Sequence, residues 1–136
     1  MSDKNKHIRN TFSGAGGSKR PPLTEEQLQA KIIELHKQTW NPHAFIRGRT
    51  ADSEYCPAEI LMELAFDPSS EVRFYVGRHR NTPVDTLVYL SNDPNRNVRW
   101  VVENNINTPK DISEKLKVQR DAEMSYNITQ PPQTNI

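Results

Sequence analysis

Three arginines recur at one spacing: Arg47, Arg73 and Arg99 stand 26 residues apart. A guanidinium is a planar, permanently charged fork that grips a carboxylate or phosphate through two parallel hydrogen bonds. A row of them has two uses. Along an open groove it would hold acidic or phosphorylated ligands. Paired with carboxylates in the same rhythm, it would tie neighbouring segments together. Asp67 and Asp93 keep step with Arg73 and Arg99, which favours the internal ladder.

Phe74 and Trp100 share a second repeat position, two residues beyond a core valine. Two residues turn about 200° around a helix, so both rings face away from the valine stripe. Packing between units is the plainer reading. The functional one is a partner-binding strip of Phe74, Trp100, Arg78 and Asn104, flanked by Arg73 and Arg99, because aromatic and arginine side chains anchor interfaces.

Catalytic groupings are not visible. His7, His36, His43 and His79 lack the spacing of a metal motif. His79 reads as a histidine hydrogen-bonded between helices. The one cysteine, Cys56, occupies a slot filled elsewhere by Thr82 and Thr108, so it reads as a substitution at a cap position. Carboxylates stand singly near helix starts. Gly17-Ser18-Lys19 has the wrong order for a phosphate loop, and no strand precedes it. The expectation is a protein that is not an enzyme and carries no cofactor and no metal.

The elements that must position these side chains repeat too. Asp67-Pro68-x-x-x-Val72-Arg73-x-x-Val76 returns as Asp93-Pro94-x-x-x-Val98-Arg99-x-x-Val102, and Asn81-Thr82-Pro83 returns as Asn107-Thr108-Pro109. A fixed period of this size signals supersecondary units. Apolar spacings of three and four indicate two short helices per unit. The first-helix stripes are Leu61, Leu64, Ala65 and then Val84, Leu87, Val88. The second-helix stripes are Val72, Tyr75, Val76 and then Val98, Val101, Val102. Thr82 and Thr108 read as N-caps with proline at the first helical position, as do Asp67 and Asp93 before Pro68 and Pro94.

The resulting organisation is all-α. A basic tail, 1–22, precedes a repeat domain over 23–128. Its opening helix, 24–39, begins with a Thr24-Glu25-Glu26-Gln27 capping box. A partial unit covers about 41–56 and has lost its apolar stripe from Gly48 to Ser53. Full units follow at 57–82 and 83–108. A closing helix spans 109–118, with Ala122, Met124, Tyr126 and Ile128 in a segment of undefined shape. Residues 129–136 form a second tail. Both tails are too polar to offset ordering entropy and are expected to be disordered.

The repeated string D-P-x-x-x-V-R-x-x-V followed by N-T-P-x-x-x-L-x-x-L resembles the variant leucine-rich repeat, specifically over 57–116. The resemblance implies a short right-handed α-solenoid related to HEAT arrays, which binds a partner through its surface. Some members of that family carry an iron–sulfur cluster on N-terminal cysteines; the single Cys56 does not supply one.

Composition narrows the function further. Formal net charge is +1 over 136 residues, yet residues 1–22 hold Lys4, Lys6, Arg9, Lys19 and Arg20 against Asp3, so the remainder is acidic. The leading expectation is a non-enzymatic adaptor or scaffold that binds a protein partner. The alternative is nucleic-acid association, with the basic tail supplying counterion release and the periodic arginines tracking phosphates. Against that alternative, no basic stripe runs through the domain. No apolar run approaches roughly 18 residues, so no membrane span is expected. A single cysteine and no secretory h-region point to the cytoplasm. A monomer or weak homodimer is the expected state.

Overall fold

The computed structural model describes residues 20–129. Among these residues every regular element is an α-helix: α1 Glu25–Gln38, α2 Ala44–Asp52, α3 Ala58–Leu64, α4 Ser70–Arg78, α5 Val84–Leu90, α6 Arg96–Glu103 and α7 Lys110–Thr129. Tail residues 1–19 and 130–136, including Lys4, Lys6, Arg9 and Lys19, lie outside the described part. Helix α1 opens with the expected capping box. Thr24 Oγ1 accepts from the Gln27 amide at 3.1 Å, and Gln27 Oε1 accepts from the Thr24 amide at 2.9 Å.

The helices contact one another in a regular order. Helix α2 packs on α4, α4 on α6 and α6 on α7, while α3 leans on α4 and α5 on α6. The core lies between these layers. Ile60, Leu61 and Leu64 of α3, Val72 and Val76 of α4, Leu87 and Leu90 of α5, and Val98 and Val102 of α6 belong to one buried cluster. Each such side chain contributes about 1.5–3 kcal/mol on burial. That burial has to hold helices of seven to nine residues, too short to persist alone.

Several local expectations change on inspection. In α5 the inward stripe is Thr86, Leu87 and Leu90, whereas Val84 and Val88 are exposed. Both stripes contain Leu87 and both have helical spacing; the packing of α5 on α6 selects between them.

Thr82 and Thr108 are not N-caps. Their hydroxyls donate backwards, at 2.6 Å, to the carbonyls of Val76 and Val102. The buried C-terminal ends of α4 and α6 have carbonyls that water cannot reach, and these claim the hydroxyls. The capping position falls instead on Pro83, and on Pro57 in the preceding unit. Proline has no amide to satisfy, which suits a helix start.

Asp67 and Asp93 are not caps either. Ser69 and Asn95 occupy those positions, and each aspartate folds its turn by accepting the amide two residues on, at 2.9 Å.

Residues 44–52 are helical although their apolar stripe is weak. Their inward residues are small: Gly48, Thr50 and Ala51 are buried, which lets α4 approach closely. At its other end, α7 does not stop near 118. It runs to Thr129 and takes in Ala122, Met124, Tyr126 and Ile128.

Candidate functional site

The arginine ladder closes between units. Arg47 Nε and Nη2 donate to the two carboxylate oxygens of Asp67 at 2.6 and 3.0 Å, and Arg73 makes the same fork on Asp93 at 2.7 and 3.1 Å. The remaining Nη1 of Arg47, Arg73 and Arg99 donates at 2.8 Å to the backbone carbonyl of Asn41, Asp67 or Asp93 in its own unit. Each guanidinium thus ties its own turn to the next one. Asp67 and Asp93 raise the pKa of Arg47 and Arg73 through these hydrogen bonds and their charge, against the cost of burial.

At the last rung no aspartate follows, and Glu123 of α7 takes Arg99 Nη2 at 3.1 and 3.2 Å. At the first rung Asn41 stands where the aspartate would be. Pro21, 26 residues before Arg47, gives it no arginine to receive. The guanidiniums of Arg47, Arg73 and Arg99 are therefore occupied by internal acceptors.

A second ladder follows residues 53, 79 and 105, of which only His79 was expected, as a histidine hydrogen-bonded between helices. The amide of Asn81 donates to His79 Nδ1 at 3.0 Å, so Nε2 carries the proton and donates to the Ser53 carbonyl at 2.7 Å. Asn105 Nδ2 donates to the carbonyls of Gly77 and His79 at 2.8 and 2.9 Å. The asparagine of Asn-Thr-Pro adds to it: Asn107 Nδ2 reaches the Arg80 carbonyl, and Asn81 Nδ2 the Cys56 carbonyl. His79, Asn81, Asn105 and Asn107 are thus fully explained as ties between units.

Phe74 and Trp100 share a repeat position but not an environment. Phe74 is half-buried against the core and edge-on to Tyr75, with ring centroids 5.5 Å apart. Arg78 lies over both rings, 6.0 Å from Phe74 and 5.4 Å from Tyr75, and pairs with Asp52 at 2.8 Å. Trp100 is 51% exposed. It borders a recess of about 150 Å³ between α6 and α7, with Leu116, Met124, Arg96 and Arg120. Arg120 is held there by a fork on Glu103 at 2.9 and 3.0 Å. Asn104 Nδ2 donates to the Trp100 carbonyl at 2.8 Å. The structure therefore ties Asn104, the residue after α6, to the Trp100 backbone, and brings Phe74 and Arg78 together on α4.

The remaining reactive groups are quiet. Cys56 is buried; loss of hydration, with the nearby Glu59 charge adding to it, pushes its thiol up to about 12. Among the described residues no group of His, Cys, Asp and Glu gathers as metal ligands, and no helix is long and apolar enough to cross a membrane. Arg20, the last basic residue of the tail, is exposed.

Sequence reasoning missed one aromatic pair. Trp40 and Phe66 also stand 26 residues apart, and they are 72% and 68% exposed. The Phe66 ring packs on Tyr89, centroids 4.8 Å apart. The repeat itself was the available signal, but Asn92 breaks the aromatic series at the next unit.

Charge is sorted by helix. Helices α2, α4 and α6 carry two arginines each, whereas α3 and α5 contain no basic residue. No protein-family model, curated protein or solved structure matches the chain.

Proposed function

We propose that the helices form a short right-handed α-solenoid of the variant leucine-rich-repeat kind. About three repeats of 26-residue period would lie between α1 and α7, the first a partial unit holding only α2 and the others the helix pairs α3–α4 and α5–α6. In this reading the solenoid is a non-enzymatic interaction module that binds a protein partner, presented as a helix or an extended peptide. The observation that carries the reading is Trp100. A tryptophan half in water beside a recess that joins Leu116 and Met124 to the charged side chains of Arg96, Arg120, Glu103 and Glu123 has the composition of an interface anchor. Arg96 makes no ion pair among the described residues, so it is free to meet a partner's carboxylate. In this reading Arg78, laid across Phe74 and Tyr75 at the equivalent place on α4, would extend the same surface.

The supporting chemistry is association rather than turnover. The one thiol is buried and protonated, and the periodic guanidiniums already hold carboxylates.

Trp100→Ala and Arg78→Glu are each expected to abolish capture of the partner from lysate while leaving the helical melt within a few degrees of the parent protein. Loss of the melt together with capture would make both residues part of the packing and end the reading.

A further inference from the structure

A second candidate surface has no lining residue in common with the Trp100 recess. Trp40, Pro42, Phe66 and Pro68 line a groove of about 500 Å³, with Glu63 at its rim and Leu64 beneath. Tyr89 of α5 continues it through its contact with Phe66. Met62 on α3 and Val84 and Val88 on α5 are also open to water. Exposed aromatic side chains gathered in a groove mark an interaction site.

Its charge indicates what covers it. Every exposed residue of α3 and α5 is aliphatic, a methionine, the tyrosine Tyr89 or a carboxylate, the last being Glu59, Glu63 and Asp85. Glu63 and Asp85 make no ion pair with a described residue. The one guanidinium in the groove, Arg47, is consumed by Asp67. The aromatic faces add negative potential of their own, and an exposed tryptophan is the best of them at holding a cation. Groove and rim therefore attract positive charge and offer an apolar slot beside it. An acidic or phosphorylated ligand would meet only repulsion here.

We propose that this groove docks a basic segment of a partner protein, one that carries lysine or arginine beside a bulky apolar side chain. The apolar side chain would sit between Trp40 and Phe66. The cations would meet Glu63 and the tryptophan face. The surface is distinct from the Trp100 recess, so either can fail without the other.

The test is a selection of random displayed peptides on the immobilised full chain, followed by amide shift mapping of the enriched peptides. Enrichment of basic peptides with aromatic or aliphatic residues is expected, with shifts centred on Trp40, Glu63, Phe66 and Tyr89. Trp40→Ala and Glu63→Lys should each weaken these peptides by about tenfold or more, whereas Arg78→Glu should not. Both substituted side chains are exposed, and an unchanged amide spectrum elsewhere verifies the fold. No enrichment, enrichment of acidic peptides, or shifts centred on Trp100 would overturn the proposal. So would groove shifts that arise without peptide: salt-sensitive ones would give the groove to residues 1–19, and dilution-sensitive ones to a second copy of the chain.

Discussion

At the residue scale, Arg73 and Asp93 show why a repeat of charges need not be a binding site. Asp93 is 6% exposed and holds both arms of the Arg73 fork. Removing it would leave a guanidinium without its partner in a place water reaches poorly. Asp93→Ala is expected to cost roughly 2–4 kcal/mol in denaturant unfolding, and Arg73→Lys to cost part of that because lysine cannot form the fork. A loss below about 0.5 kcal/mol would show that the ladder is incidental. This pairing was legible because aspartate and arginine share the period. The role of Thr82 was not legible, since Thr-Pro reads equally well as a cap. Only the buried Val76 carbonyl decides which way the hydroxyl points.

Cys56 occupies that same slot, and the carbonyl of Thr50 corresponds there to those of Val76 and Val102. Cys56→Thr would supply the missing hydroxyl donor and is expected to stabilise by about 1 kcal/mol. The substitution also has a pH signature. The Cys56 thiol is raised from 9.0 to about 12, chiefly by burial. Below pH 9 folded and unfolded chains are both protonated at this group, and its contribution is fully present. Between 9 and 12 the unfolded chain releases the proton first, so stability falls as pH rises. The advantage of Cys56→Thr over the parent protein should therefore widen from pH 8 to pH 10.5 in paired denaturation curves. A constant gap would mean that the thiol is not buried as described.

At the scale of the element, two glycines separate helix propensity from packing. A Cβ on Gly48 would meet the Tyr75 ring at 3.4 Å, an ordinary contact. A Cβ on Gly77 would lie 3.0 and 3.1 Å from Cγ2 of Val101 and Val102, which are buried and stiff. Gly48→Ala should thus stabilise α2 by about 0.5–1 kcal/mol, whereas Gly77→Ala should destabilise the α4–α6 contact despite the same gain in propensity. Thermal melts by circular dichroism read both signs. A gain at both sites would show that α4 and α6 have slack between them.

Helix α2 teaches the matching lesson about legibility. Its apolar stripe is missing because close approach to α4 uses small residues, and a search for large ones passes over it. Helix α5 was legible as a helix but not in its facing, because seven residues hold two stripes of equal spacing. The length of α7 was hidden for another reason. Past residue 118 it is held by polar ties, Arg120 on Glu103 and Glu123 on Arg99, which carry no apolar period.

At the scale of the whole molecule, the ladder has ends. Asn41 begins it without a charge to satisfy, and Glu123 of α7 closes it, so the described helices leave no open arginine or aspartate rung. Charge is divided across this body: α2, α4 and α6 carry two arginines each, whereas α3 and α5 carry carboxylates and no basic residue. The proposed solenoid has two candidate surfaces, the Trp100 recess and the Trp40–Phe66 groove, each taking in a rung of the ladder, Arg99 with Glu123 in the first and Arg47 with Asp67 in the second. The first was partly legible, since Trp100 could be placed opposite the valine stripe. The second was not, because it is assembled from turn residues whose exposure only the fold determines.

The interaction reading is tested most directly by affinity capture with the tagged full chain and its Trp100→Ala variant in parallel, each with and without nuclease, at about physiological ionic strength. The account predicts a stoichiometric protein partner that survives nuclease and is lost from the variant. Capture that vanishes with nuclease, or that persists undiminished on Trp100→Ala, would contradict it.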